Sequence, residues 1–180
     1  MAVPGDEDSV NLKGYVRDIP DFPTPGILFR DITPLLLEPR ALDAAVTRLT
    51  QYARELEIDF VVAAEARGFI LGGALARSLH AGFVPARKPG KLPHDTVTAE
   101  YTLEYGVNAL EMHADAFAGG ARVLIHDDLL ATGGTARALA ELVSRLGGEV
   151  KACVFLAELE ALEGRRQLEG YQVHSLIKYA

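Results

Sequence analysis

The run from Arg122 to Leu146 leaves this chain little choice of fold. It reads Arg-Val-Leu-Ile-His-Asp-Asp-Leu-Leu-Ala-Thr-Gly-Gly-Thr-Ala and continues with apolar residues at helical spacing. Val123, Leu124 and Ile125 are a short, partly β-branched apolar run of the kind a buried strand needs. Asp127 and Asp128 end that strand with two adjacent carboxylates. In Ala131-Thr132-Gly133-Gly134-Thr135, two glycines let the backbone bend and leave no Cβ between its amides and a ligand. Thr135 stands where it can cap a helix whose inner face is Ala136, Leu139, Leu142, Val143 and Leu146.

Free amides at a helix N-terminus make a phosphate site, because the N–H groups and the helix dipole both favour an anion. This loop lacks the lysine and spacing of the nucleotide-triphosphatase P-loop, and it lacks G-x-G-x-x-G. Two carboxylates stand just upstream of the cradle instead. A sugar phosphate fits that pair, with its phosphate in the loop and vicinal hydroxyls on the carboxylates. Gly-Gly-Thr alone would leave an ordinary strand-to-helix turn equally open. The whole run is more specific: it closely resembles the phosphoribosyl-pyrophosphate (PRPP) motif of the type I phosphoribosyltransferases. One departure is His126, where that family usually has an apolar residue; it reads as a satisfied strand histidine or as a contact at the sheet end.

Charge and cysteine usage narrow the class. The chain has 25 acids against 18 bases, a formal charge of −7, which argues against a nucleic-acid or membrane-surface protein. Cys153 is the only cysteine, so no intrachain disulfide is available, which suits a cytoplasmic protein. The acidic start lacks an apolar core and is not expected to act as a secretory leader, and no stretch of about twenty uninterrupted apolar residues predicts a membrane span. A length of 180 residues, 49% apolar, is most simply one domain with room for a core.

Residues 1–9 are expected to be frayed, and a short helix is expected from Val10 to Asp18. Ile19 to Gly26 holds three prolines and a glycine, which forbid a helix and stiffen a loop. Ile27 to Ile32 then reads as a strand. A stiff loop followed by apolar residues and Arg30 is either a connector or a frame for a flat ligand. Pro39 to Leu56 is an amphipathic helix, Phe60 to Ala64 a buried strand, Phe69 to Leu79 a second helix and Gly82 to Ala86 another strand. That is βαβ grammar and predicts a parallel sheet. Residues 97–104 predict an exposed β-ribbon turning at Gly106-Val107-Asn108, the best candidate for a mobile lid. Val150 to Leu156 and Tyr171 to Ile177 are the last strands.

One asymmetry stands out. From Ala66 to His94 there is no Asp or Glu, yet Arg67, Arg77, Arg87, Lys88 and Lys91 all fall there. The preferred reading is a polyanion site. Arg67-Gly68 lies at a strand end and helix start, where amides and a guanidinium together can grip pyrophosphate. Arg77, mid-helix, reads as a surface residue, and His94 is given no role.

The resemblance extends from about Pro20 to the C-terminus. Pro-Asp-Phe-Pro-x-Pro-Gly-Ile-x-Phe-Arg-Asp-Ile-Thr-Pro-Leu, from Pro20 to Leu35, is the pattern of the adenine-using branch of the family in particular. It implies a doubly wound α/β sheet, mostly parallel, with an N-terminal hood at 10–35 and a flexible catalytic loop at 87–113. It also implies transfer of the phosphoribosyl group of PRPP to adenine, giving AMP and pyrophosphate, in a homodimer. Mg²⁺ would be held mainly through substrate oxygens, with no dedicated protein ligand set.

On this resemblance Asp127 and Asp128 meet the ribose hydroxyls, and Ala131, Thr132, Gly133, Gly134 and Thr135 hold the 5′-phosphate. Arg67, Gly68, Arg87, Lys88 and Lys91 take the pyrophosphate, with Arg67 and Lys88 counted as catalytic. Leu28, Phe29, Arg30 and Leu159 frame adenine. Glu104, in Tyr-x-Leu-Glu-Tyr-Gly, is the carboxylate beside the base, and Tyr105 the ring that covers the site. The alternatives are a sister enzyme for another base and a non-catalytic PRPP-sensing regulator.

Overall fold

The protein is described by a computed structural model over residues 10–103 and 106–180. It divides into two compact units, one ending at Arg48 and the other spanning Leu49–Ala180.

In the first unit a 3-10 turn, Leu12–Tyr15, leads into strand β1 (Arg17–Pro20), which pairs antiparallel with β2 (Leu28–Asp31). The helix expected from Val10 to Asp18 is therefore cut to that four-residue 3-10 turn, and its end is strand instead. Cross-strand ion pairs explain why: Arg17 meets Asp31 at 2.9 Å, and Asp18 takes the Arg30 guanidinium from the opposite position. These partners lie more than ten residues away, so local sequence does not announce them. The connecting loop is closed by the Gly26 amide on Asp21 Oδ1 (2.7 Å), and the Phe22 and Phe29 rings meet edge to face. Helix α1 (Thr33–Leu37) follows with Pro34 in its first turn, where a missing N–H costs nothing. Helix α2 (Pro39–Ala53) then carries the chain into the second unit.

The second unit is built on strands β3 (Phe60–Ala64), β4 (Gly82–Ala86), β7 (Arg122–Leu130), β8 (Glu149–Leu159) and β9 (Val173–Tyr179). They form one parallel sheet in the order β4-β3-β7-β8-β9. Burial on both faces demands near-continuous apolar strands, and Val61 to Ala64 and Val123 to Ile125 supply them. Side-chain alternation then sorts the core into two layers. Val61, Leu124 and Val154 pack with Leu75 and Ala76 of α3 (Gly68–Leu79) and with Leu49 and Ala53. Val62, Ile125 and Phe155 pack with Leu139, Leu142 and Val143 of α4 (Gly134–Arg145). The sheet is doubly wound, as the sequence predicts.

Strands β5 (Thr96–Leu103) and β6 (Gly106–His113) form an antiparallel ribbon. Two expectations change here. Gly106 to Asn108 do not turn the chain: they lie within β6, paired with Leu103 to Tyr101. The ribbon is also not exposed on both faces, because Ala99, Leu110 and Met112 are buried in the α4-side core. Among the described residues no helix is long and apolar enough to cross a membrane.

Candidate active site

The strand carrying the two carboxylates runs past them to Leu130, so Asp127 and Asp128 sit inside β7 rather than ending it. Alternation sends them to opposite faces. Asp128, 5% exposed, accepts the Arg67 guanidinium with Nε 2.8 Å from Oδ2. Asp127 Oδ1 accepts the Asp128 amide at 2.9 Å. The start of α3 comes against the same carboxylate: a methyl group on Gly68 would lie 2.9 Å from Asp127 Oδ1 and 3.5 Å from the His126 carbonyl oxygen. Only glycine lets this helix N-terminus come so near, and its dipole favours the carboxylate charge. Burial pushes both carboxyls above their ordinary range. Asp127 rises further because the charge of Asp128 adds to its burial, whereas Arg67 opposes the rise at Asp128. Two crowded acids of this kind call for a positive partner.

Beyond β7 the chain forms a cleft of about 120 Å³ lined by Asp127, Leu129 to Ala136 and Phe155. Gly133 takes a φ of 87°, a left-handed conformation that costs other residues energy, and it is the N-cap of α4. Thr135, expected as the cap, lies one residue inside the helix, and no side chain caps it. The helix start therefore has first-turn amides without a side-chain acceptor, the arrangement an anion completes.

The cationic segment is organised by carboxylates just outside its sequence window. Glu65, at the end of β3, accepts Arg87 Nε at 2.7 Å and the Lys88 amide at 3.1 Å. Glu111 Oε2 accepts the Gly90 amide at 3.0 Å, and Arg87 and Glu111 exchange both backbone hydrogen bonds. Arg87 also reaches the Lys91 carbonyl at 3.1 Å. Hydrogen bonds from Arg87 and the Lys88 amide outweigh burial and hold the Glu65 carboxyl below its ordinary range. Sequence reasoning missed Glu65 and Glu111. Glu65 directly precedes Ala-Arg-Gly and was the available signal; Glu111 had none.

The structure thus brings Arg67, Gly68, Asp127, Asp128 and the Ala131–Thr135 loop together at the ends of β3 and β7. Lys88 and Lys91 present exposed side chains on the segment anchored by Glu65. Leu159 is half-buried at the end of β8. Leu28, Phe29 and Arg30 lie on β2 of the first unit, Leu28 exposed. Glu104 and Tyr105 lie outside the described residues. Among the described residues no group of three or more His, Cys, Asp or Glu converges to hold a metal. His126 is fully buried and its Nδ1 lies 3.0 Å from the Val154 carbonyl.

The phosphoribosyl transferase domain family matches residues 36–172. The adenine phosphoribosyltransferase of Thermotoga maritima is 58% identical over 170 residues, 94% of this chain and 98% of that protein. The solved adenine phosphoribosyltransferase of Thermoanaerobacter pseudethanolicus superposes with a TM-score of 0.91 at 51% identity, covering 93% of this chain and 98% of that one. The Saccharomyces cerevisiae enzyme, solved with adenine and an imino-altritol bisphosphate, gives 0.86 at 38%, covering 90% and 94%.

Proposed function

This chain belongs to the adenine phosphoribosyltransferase family, and from that premise we propose how its own residues join adenine to the ribose of PRPP, giving AMP and pyrophosphate. The observation that carries the assignment of roles is the meeting of a glycine loop, two adjacent carboxylates and a guanidinium at one end of the sheet.

Displacing pyrophosphate from the anomeric carbon builds positive charge on the sugar and negative charge on the leaving group. Prearranged charges stabilise both. The amides of Ala131 to Thr135, with the hydroxyls of Thr132 and Thr135, hold the 5′-phosphate. Asp127 and Asp128 orient the ribose hydroxyls, and their charge favours the developing cation. Arg67, the amide of Gly68, Arg87, Lys88 and Lys91 receive the pyrophosphate. The Arg67–Asp128 contact is read as a link between the two ends of the bond being broken.

Leu28, Phe29, Arg30 and Leu159 meet the base, backbone groups of Leu28 and Arg30 reading its edge. Glu104 orients or relays a purine proton, and Tyr105 covers the ring. Crowded, charge-hungry carboxylates suit a site that works with Mg²⁺, to which substrate oxygens supply most ligands. When bound, the ion neutralises pyrophosphate oxygens.

The proposal includes a cytoplasmic homodimer. Its support is exposed apolar surface on α3 and on the edge strand β4: Ile70 is 48% and Phe83 37% exposed, and Phe69 meets Phe83 edge to face. Protein, Mg²⁺ and PRPP mixed with adenine, hypoxanthine, guanine, xanthine or orotate test the function. Nucleotide and pyrophosphate are expected with adenine; faster turnover of another base, or none at all, overturns the reading.

A further inference from the structure

Residues 160–168 form two 3-10 turns, Glu160–Leu162 and Gly164–Leu168, and they come up behind the phosphate loop. The approach is backbone against backbone. A methyl group on Gly164 would overlap the Ala131 carbonyl oxygen and lie 3.0 Å from Leu130 Cδ1. From the other side, a methyl on Gly133 would overlap the Gly164 carbonyl oxygen and lie 2.9 Å from Gln167 Cβ. Two glycines on separate loops thus fix each other's position, with no side chain between them to yield.

Something must hold the second loop. Arg165 makes a two-pronged contact to Glu158, with Nε 2.6 Å from Oε1 and Nη2 2.8 Å from Oε2, and its Nη1 donates to the Val173 carbonyl at 3.0 Å. Glu158 is 3% exposed near the end of β8 and is paired on both sides, opposite Leu130 of β7 and Lys178 of β9. Leu130 is the residue that enters the phosphate loop. The contact therefore closes a ring: β7 into the phosphate loop, across Gly133–Gly164 to Arg165, and back through Glu158 to β7. Hydrogen bonding from Arg165 holds the Glu158 carboxyl below its ordinary range, so the pair stays charged at neutral pH.

We propose that Glu158, Arg165 and Gly164 are positioning residues for PRPP: the fork pins the 160–168 loop, and Gly164 sets where the Ala131–Gly133 amides point. This rests on the reading that the loop holds the sugar's phosphate. A planar fork fixes two donors at once, which a lysine cannot do.

The test uses the full chain with Arg165→Lys, Gly164→Ala and, as a control, Arg166→Ala, which loses only the exposed pair with Glu163. Steady-state kinetics and calorimetry with ribose 5-phosphate are the readouts. Gly164→Ala and Arg165→Lys are expected to raise the PRPP KM and the ribose 5-phosphate Kd by about tenfold or more, since small misplacements cost that much. The adenine KM should stay within about twofold, the split that separates positioning from general loosening. The control should match the wild type. Gly164→Ala keeps the ion pair intact, so it decides the matter should Arg165→Lys fail to fold. Unmoved PRPP constants in a folded Gly164→Ala protein, or equal rises in both KM values, overturn the proposal while leaving the function standing. A wild type that binds no ribose 5-phosphate takes down both.

Discussion

His126 should make this protein acid-sensitive by an amount that can be worked out in advance. Its ring lies in β7 without solvent exposure, and burial pushes its pKa down from 6.5 to about 4, against a smaller upward pull from the Val154 carbonyl. A carbonyl only accepts, so Nδ1 carries the proton and Nε2 is bare. The unfolded chain takes up a proton near pH 6.5, whereas the folded chain resists until about pH 4. Stability from this group is therefore complete above pH 6.5 and is lost as pH falls towards 4. Linkage gives a loss of about 2 kcal/mol at pH 5 and about 3 kcal/mol once both states are protonated. That is a large part of a typical domain's 5–15 kcal/mol, roughly. The assay is urea unfolding of the wild type and His126→Val at pH 8, 6.5 and 5. Asp127 and other acids titrate in both proteins, so the difference between them isolates the imidazole. The difference should move in favour of His126→Val by about 2 kcal/mol between pH 8 and pH 5. A difference that stays constant with pH would refute a neutral, buried imidazole.

Other expectations concern the site. Asp127→Asn with Asp128→Asn removes the two carboxylates proposed to meet the ribose and should lower kcat by about a hundredfold or more, with native circular dichroism; full turnover would take the pair out of the mechanism. Arg67→Ala breaks the 2.8 Å contact to Asp128 and should raise the PRPP KM about tenfold while the adenine KM changes little, as steady-state kinetics will show. Glu65→Ala releases Arg87 and the Lys88 amide, so in the reverse reaction the pyrophosphate KM should rise while the AMP KM holds.

Local pattern carried the sheet and the glycine loop that leads into α4. Phe60 to Ala64 and Gly82 to Ala86 announce themselves because a strand covered on both faces must be apolar along its whole length. What escaped was set by distant partners. β1 has no apolar alternation and exists because Arg17 and Asp18 find Asp31 and Arg30 across the hairpin. Glu65 escaped because the carboxylate-free window starts one residue after it, so the cations seemed unopposed. Thr135 looked like a cap by residue type, but the left-handed Gly133 starts the helix earlier. Gly164 and Arg165 carried no signal, since close contact between two loops leaves no periodicity in sequence.

A crystal structure of the protein with AMP is the most direct test of the central claim. The account predicts the nucleotide's phosphate within hydrogen-bonding distance of the amides from Thr132 to Thr135, and its ribose hydroxyls on Asp127 and Asp128. A phosphate bound anywhere else, with that loop left unengaged, would contradict it.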